Sequence, residues 1–211
     1  MIPLKEFKTL RAMKNNRRLL ISFFLVLIFC QNSMAQTPVK DSTLAGIYAS
    51  YDDFTNGRLS YQIDCSMEKQ KIRLHDFMQK PFVEVFYKGR KIKLFKDELF
   101  GYQDCKGNMF RFYCNQEFQL AEIRDLSIYF LEENVSNGTS FNSERIFYFA
   151  VRPDGPLLPL TLQNIRSTFS GNQKFLQLVN CNIQTERDLS VYDDTRKTFM
   201  VNHLYALSQQ P

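Results

Sequence analysis

Tryptophan is absent from this 211-residue chain, and histidine occurs only at His75 and His203. There is no Cys-x-x-Cys and no His-x-x-x-His, so the spacing that usually announces a zinc site is missing. Neither a Gly-x-Ser-x-Gly elbow nor a glycine-rich phosphate loop occurs. A Ser-His-acid or Cys-His site would have to use one of the two histidines. His203 lies at helical spacing from Phe199, Leu204 and Leu207, which reads as a histidine at the edge of a core; His75 ends a strand beside Asp76, an ordinary exposed position. The adjacent carboxylates Asp52-Asp53, Glu132-Glu133 and Asp193-Asp194 point in different directions on a strand or helix, so adjacency alone builds no acid/base pair. No catalytic, cofactor-binding or metal-ligating residue is assigned, and no cofactor is implied.

Internal repeats and low-complexity tracts are also lacking, and the only long apolar run is LLISFFLVLIFC, residues 19–30. It falls short of the roughly 20 residues that a membrane-spanning helix needs. Lys14, Arg17 and Arg18 precede it, and Ser33-Met34-Ala35 follow. A basic start, a short apolar middle and a small-x-small exit are the parts of a secretory signal peptide. The expectation is a cut after Ala35, with Met13 as an alternative start; a retained anchor helix is the competing reading. Lipidation at Cys30 is rejected, because the bulky Phe29 stands where a small residue is needed.

Removing residues 1–35 takes six Lys/Arg and one Glu from totals of 27 and 22, leaving 21 of each sign. The basicity therefore belongs to the leader, and the remaining chain has no net field to gather nucleic acid. Its densest basic stretch, KGRKIKLFK at 88–96, alternates with Ile92 and Leu94 and reads as the wet face of a strand. After a short linker, 36–45, residues 46–211 are expected to form a single domain, with no integral membrane span.

The texture from residue 46 to residue 151 is that of β-strands. In FVEVFYKGRKIKLF, residues 82–95, a Lys88-Gly89 turn sets Val83 and Val85 across from Leu94 and Ile92, and Glu84 and Phe86 across from Lys93 and Lys91. A second hairpin is expected around Gly107-Asn108, placing Asp104 against Arg111, Tyr102 against Tyr113 and Cys105 against Phe110. Tyr102 with Tyr113 would stabilise the strands or stack on a sugar ring. Further strands are read at 117–122, 126–131 and 145–151, with weaker ones at 46–51, 59–64 and 71–75. Residues 135–144 read as loop, with Asn134 and Asn137 as glycosylation acceptors in a eukaryotic host and plain turn residues in a bacterial one.

Four cysteines follow the leader: Cys65, Cys105, Cys114 and Cys181. An exported chain can oxidise them, with three connectivities for four cysteines. Cys105 and Cys114 are excluded as partners of each other, because the expected register separates them by about 13 Å, against the roughly 7 Å a disulfide spans. Both read as packed thiols on the face of Phe110 and Phe112.

Beyond Pro153-Asp154-Gly155-Pro156 the period changes to that of helices. Thr161 caps one bearing Leu162, Ile165 and Phe169; Phe175, Leu176 and Val179 mark a second. A capping box at Thr185 opens a third, longer helix that runs to Leu207. The expected fold is α+β: an antiparallel, curled sheet over residues 46–151 with two or three helices, 161–207, packed on it.

The start Gly46-Ile47-Tyr48 with Tyr51-Asp52-Asp53-Phe54, then Phe100-Gly101-Tyr102, Phe110-Arg111-Phe112-Tyr113 and Ile128-Tyr129, resembles a group of exported proteins of Gram-negative bacteria without an assigned function. The resemblance covers residues 45–131. It implies periplasm, outer-membrane surface or medium, and carries over no site residue. The expected function is that of a non-catalytic envelope or secreted protein that binds an envelope protein or a polysaccharide. The rival is an unorthodox hydrolase of envelope material, with carboxylates that converge only in three dimensions.

Overall fold

Ile47 and Tyr48 are both buried, yet they point to opposite faces of one strand, β1 (Leu44–Tyr48). A computed structural model describes residues 44–67, 71–74, 80–136 and 141–211, all within one compact unit, Thr37–Pro211. The leader, His75 and Asn137 lie outside the described residues. After β1, Ser50 caps a short helix, α1 (Tyr51–Thr55), that tucks Phe54 under the sheet, and β2 (Ser60–Asp64) returns antiparallel to β1. Next come β3 (Lys71–Arg73), β4 (Phe82–Tyr87) and β5 (Arg90–Phe95), a separate three-stranded sheet. Lys88 and Gly89, at φ 49° and 74°, make the type I′ turn that suits two residues between twisted strands. The expected pairing of Val83, Glu84, Val85 and Phe86 with Leu94, Lys93, Ile92 and Lys91 is the one observed.

The chain then forms β6 (Gly101–Gln103), β7 (Met109–Tyr113), β8 (Gln116–Ile123), β9 (Ser127–Ser136), β10 (Phe141–Ala150) and β11 (Leu158–Pro159) as a meander. With β1 and β2 added beside β6, the order is β11-β10-β9-β8-β7-β6-β1-β2, an open antiparallel sheet of eight strands. Its last elements are α2 (Leu162–Thr168), α3 (Gln173–Asn182), α4 (Glu186–Leu189), the two-residue strands β12 (Tyr192–Asp193) and β13 (Thr198–Phe199), and α5 (Met200–Ser208). The architecture is α+β, as the patterning implied.

Register assigns the faces of the large sheet. One face carries Ile47, Tyr102, Phe110, Phe112, Ile128, Phe130, Phe147 and Phe149. At one end of this face Ala45, Ile47, Tyr102 and Phe112 pack against Val83 and Val85 of the small sheet. At the other end Ile128 and Phe149 pack against Ile165, Phe175, Val179, Leu189 and Leu204 of the helices. The reverse face buries Tyr48, Phe118 and Tyr129. There the buried Arg111 donates to the carbonyls of Pro153 and Asp154 at 2.8 and 3.0 Å, which latches the loop between β10 and β11 to the sheet. The rings of Phe100, Tyr113 and Tyr129 lie 5.4 to 5.9 Å from its guanidinium carbon. Gly101 has no room for a side chain, since a Cβ there would stand 1.9 Å from the Phe110 carbonyl oxygen.

Four expectations need correction. The β6–β7 hairpin pairs Tyr102 with Phe110 and Gly101 with Arg111, not Tyr102 with Tyr113 or Asp104 with Arg111. The Asp104 carboxylate accepts from the amides of Lys106 and Asn108 and from the Asn108 side chain, at 2.7 to 2.9 Å. This local capping, with Gly107 at φ 72°, makes a three-residue loop with a glycine bulge in place of a two-residue turn. Tyr113 consequently faces away from Tyr102.

The cysteines follow from the same shift. Cys105 moves into the loop and bonds Cys65, 40 residues upstream, with Cα atoms 5.6 Å apart, so it is not a packed thiol. Cys114 is exposed because it and Asn115, at φ 49° and 63°, form the two-residue turn between β7 and β8. Cys181 is also a free, exposed thiol.

The described residues of the segment 135–144, namely 135–136 and 141–144, are strand, since β9 and β10 stay paired out to Ser136 and Phe141; continuing an established ladder outweighs the weak strand preference of Ser and Asn. The long third helix is interrupted. The capping box at Thr185 forms, but α4 ends at Leu189. Asp193 then accepts from the amides of Thr195 and Arg196 at 2.8 and 3.0 Å, turning the chain between β12 and β13 before α5 begins. Asp and Thr favour such side-chain turns over helix interiors.

Candidate functional site

Between the two covering layers, strands β6 to β9 leave a groove of about 620 Å³. Its floor is set by register. Tyr102, Phe110, Gln119 and Phe130 are successive cross-strand neighbours, forming one row over four strands. Beside that row Glu117 and Glu132 come from the same outward positions of β8 and β9. Tyr102 and Phe110 lie nearly parallel, with centroids 4.6 Å apart and planes inclined by 3°, the offset contact that aromatic pairs favour.

Four charged groups of the groove, Lys96, Asp104, Glu117 and Glu132, are engaged. Lys96, directly after β5 and only 2% exposed, places its Nζ 2.7 Å from Glu117 Oε1 and donates to the Asn115 carbonyl at 3.2 Å. A buried ammonium needs such partners, because leaving water unpaired costs several kcal/mol. Its Nζ also lies 5.8 Å from the Phe112 ring centre. Glu132 accepts from Arg145 Nε at 3.1 Å, while the Arg145 guanidinium stacks 4.6 Å from the Phe130 ring centre. Asp104, on the rim, is occupied by its own turn. The arrangement offers aromatic edges, an amide and neutralised charges, and suits recognition of a polar chain with apolar faces.

The two members of the Tyr102/Tyr113 pair sit on opposite faces of the sheet. Asp52 and Asp53 both contact Arg58, Asp193 contacts Arg196, and Asp194 lies 3.6 Å from Lys197. Hydrogen bonds hold the Asp53, Asp154, Asp188 and Asp193 carboxyls below their ordinary range: from Ser50 for Asp53, from Arg152 for Asp154, and from nearby backbone amides for Asp188 and Asp193. None of these carboxylates lines the groove. His203, on α5, edges a shallow surface depression with Arg124, Asp125, Arg196 and Thr198. Among the described residues no cluster of three or more His, Cys, Asp or Glu side chains could hold a metal ion.

In sequence, residues 117–122 read only as a strand, and nothing there indicated that Lys96 would cross to meet Glu117. The residues that carried the resemblance serve the fold. Gly101 permits close strand contact, Arg111 latches a loop and Phe54 fills the underside of the sheet. Among protein-family models, curated proteins and solved structures, no match to this chain is found.

Proposed function

We propose that this chain is an exported, non-catalytic binding protein of a bacterial envelope, and that the groove on β6–β9 receives its partner. The observation that carries the reading is the state of three ionisable groups of the groove. Lys96, Glu117 and Glu132 are each paired with a protein neighbour across a floor of aromatic side chains. Such a floor is prepared for contact, whereas a general acid or base must be left poised to exchange a proton. The Cys65–Cys105 disulfide supports an oxidising compartment, where such bonds persist.

Titration calorimetry with protein purified after Ala35, against soluble glycan and peptide fragments of a Gram-negative envelope, tests the proposal. Binding that Phe110→Ala and Gln119→Ala weaken, without turnover of the bound fragment, is the expected result. Turnover that is lost in Glu117→Gln and Glu132→Gln with folding intact would establish the hydrolase instead.

A further inference from the structure

The outward face of the small sheet is a cationic array mounted on phenylalanine. Register places Lys71 and Arg73 of β3, Phe82, Glu84 and Phe86 of β4, and Lys91, Lys93 and Phe95 of β5 on this side, opposite the buried Val83 and Val85. The cations lie over the rings. Arg73 Cζ is 4.8 Å from the Phe86 ring centre, with Lys71 and Lys91 Nζ each at 5.9 Å. Lys93 Nζ is 4.0 Å from Phe82 and 5.1 Å from Phe95, and Lys80 Nζ is 5.6 Å from Phe82. Such contacts hold flexible cations in place over the ring faces.

Charge is segregated here. Residues 71–93 hold seven Lys/Arg and two carboxylates, Asp76 and Glu84, and the Glu84 side chain is 12% exposed and lies 2.7 Å from Lys91. The chain after residue 35 carries 21 residues of each sign in all, so this positive excess is offset by negative excess elsewhere. Phe95 stays 43% exposed beside Lys93. A rigid sheet that keeps its cations roughly 7 Å apart along a strand matches an extended polymer with regularly repeated anions.

We propose that the outer face of β3–β4–β5 docks an acidic polysaccharide, its carboxylates meeting Lys71, Arg73, Lys91 and Lys93 and its apolar ring faces meeting Phe95. The site is separate from the groove, and only the choice of a polysaccharide over other polyanions rests on the export reading. A bilayer fits less well, because Phe82 and Phe86 are overlain by their own cations and are not presented for insertion.

The test is binding of the purified chain from residue 36 onward to polygalacturonate, with neutral dextran, phosphatidylglycerol vesicles and duplex DNA in parallel. Polygalacturonate should bind in preference to all three and weaken with added salt. Lys91→Glu with Lys93→Glu, both at exposed positions, should weaken it by roughly tenfold or more. Arg124→Glu, in the turn between β8 and β9, and Phe110→Ala, in the groove, should leave it unchanged. Equal binding to dextran, tighter binding to vesicles or DNA, or indifference to the paired reversal overturns the proposal. Loss of polymer binding in Phe110→Ala would instead move the polymer to the groove. Signal cleavage, read separately by N-terminal sequencing in the host, bears on export alone.

Discussion

Asn202 donates from Nδ2 to Glu122 Oε2 at 2.6 Å, joining the last helix to the end of β8. A bulge between Leu120 and Glu122 makes this contact possible. Strict alternation would put Glu122 on the same face as Phe118 and Leu120; the extra residue, Ala121, turns it to the helix side. Asn202 also exchanges hydrogen bonds with the backbone of the fully buried Leu126, at 2.9 and 3.0 Å. Glu122 accepts from the Phe199 amide at 3.2 Å, a carboxylate at the start of α5 where the helix dipole favours it. Asn202→Ala leaves the Leu126 amide and carbonyl without this partner inside the core. Urea unfolding should show a loss of about 2 to 3 kcal/mol.

Cys65→Ser with Cys105→Ser should lower stability by about 4 kcal/mol in the chain-entropy account, given a loop of 40 residues. Reductant should reproduce the effect in the parent and add nothing in the double variant. In unfolded, unreduced protein lacking the leader, thiol reagents should label Cys114 and Cys181 alone. Labelling of all four cysteines would contradict the bridge.

Gly101→Ala should be far more damaging than Gly89→Ala. The first forces a Cβ to 1.9 Å from a backbone carbonyl, which the strand pair can relieve only by separating. The second asks alanine to hold φ 74° in the exposed β4–β5 turn, where no atom stands within 4 Å of the added carbon, a strain of about 1 kcal/mol or somewhat more. Thermal denaturation of both variants distinguishes the two costs.

Arg111→Lys removes a planar donor that reaches two carbonyls and stacks on three rings, and an ammonium does not reproduce that geometry. The expected loss is about 1.5 to 3 kcal/mol. It should be accompanied by faster amide exchange in residues 151–157, which this side chain ties down.

Burial pushes the Tyr129 hydroxyl up to about 12, only partly opposed by the Arg111 charge. A tyrosine in the unfolded chain ionises near pH 10, so between about pH 10 and 12 the folded state holds a proton that the unfolded state has released. Stability is therefore complete below pH 10 and falls as pH rises through this window, by about 2 to 3 kcal/mol on linkage. Tyr129→Phe should flatten the alkaline limb of stability against pH, and an unchanged slope would refute the assignment.

The sequence by itself determined what depends on near neighbours. The 82–95 hairpin, the helix caps at Thr161 and Thr185, the strand periods and the α+β class all follow from alternation, turn chemistry and capping. Tertiary structure decided what depends on competition between local and distant partners. Asp104 closed its own turn, shifted the β6–β7 register and carried Cys105 to Cys65. Asp193 broke the expected long helix, and the ladder between β9 and β10 persisted through residues that read as loop. The groove belongs to the same category. Lys96 and Glu117 are 21 positions apart in sequence and become a buried pair only after two sheets stack. A linear pattern records which residues can be polar or apolar on a strand, but a side-chain pair between layers exists only once register and packing are fixed.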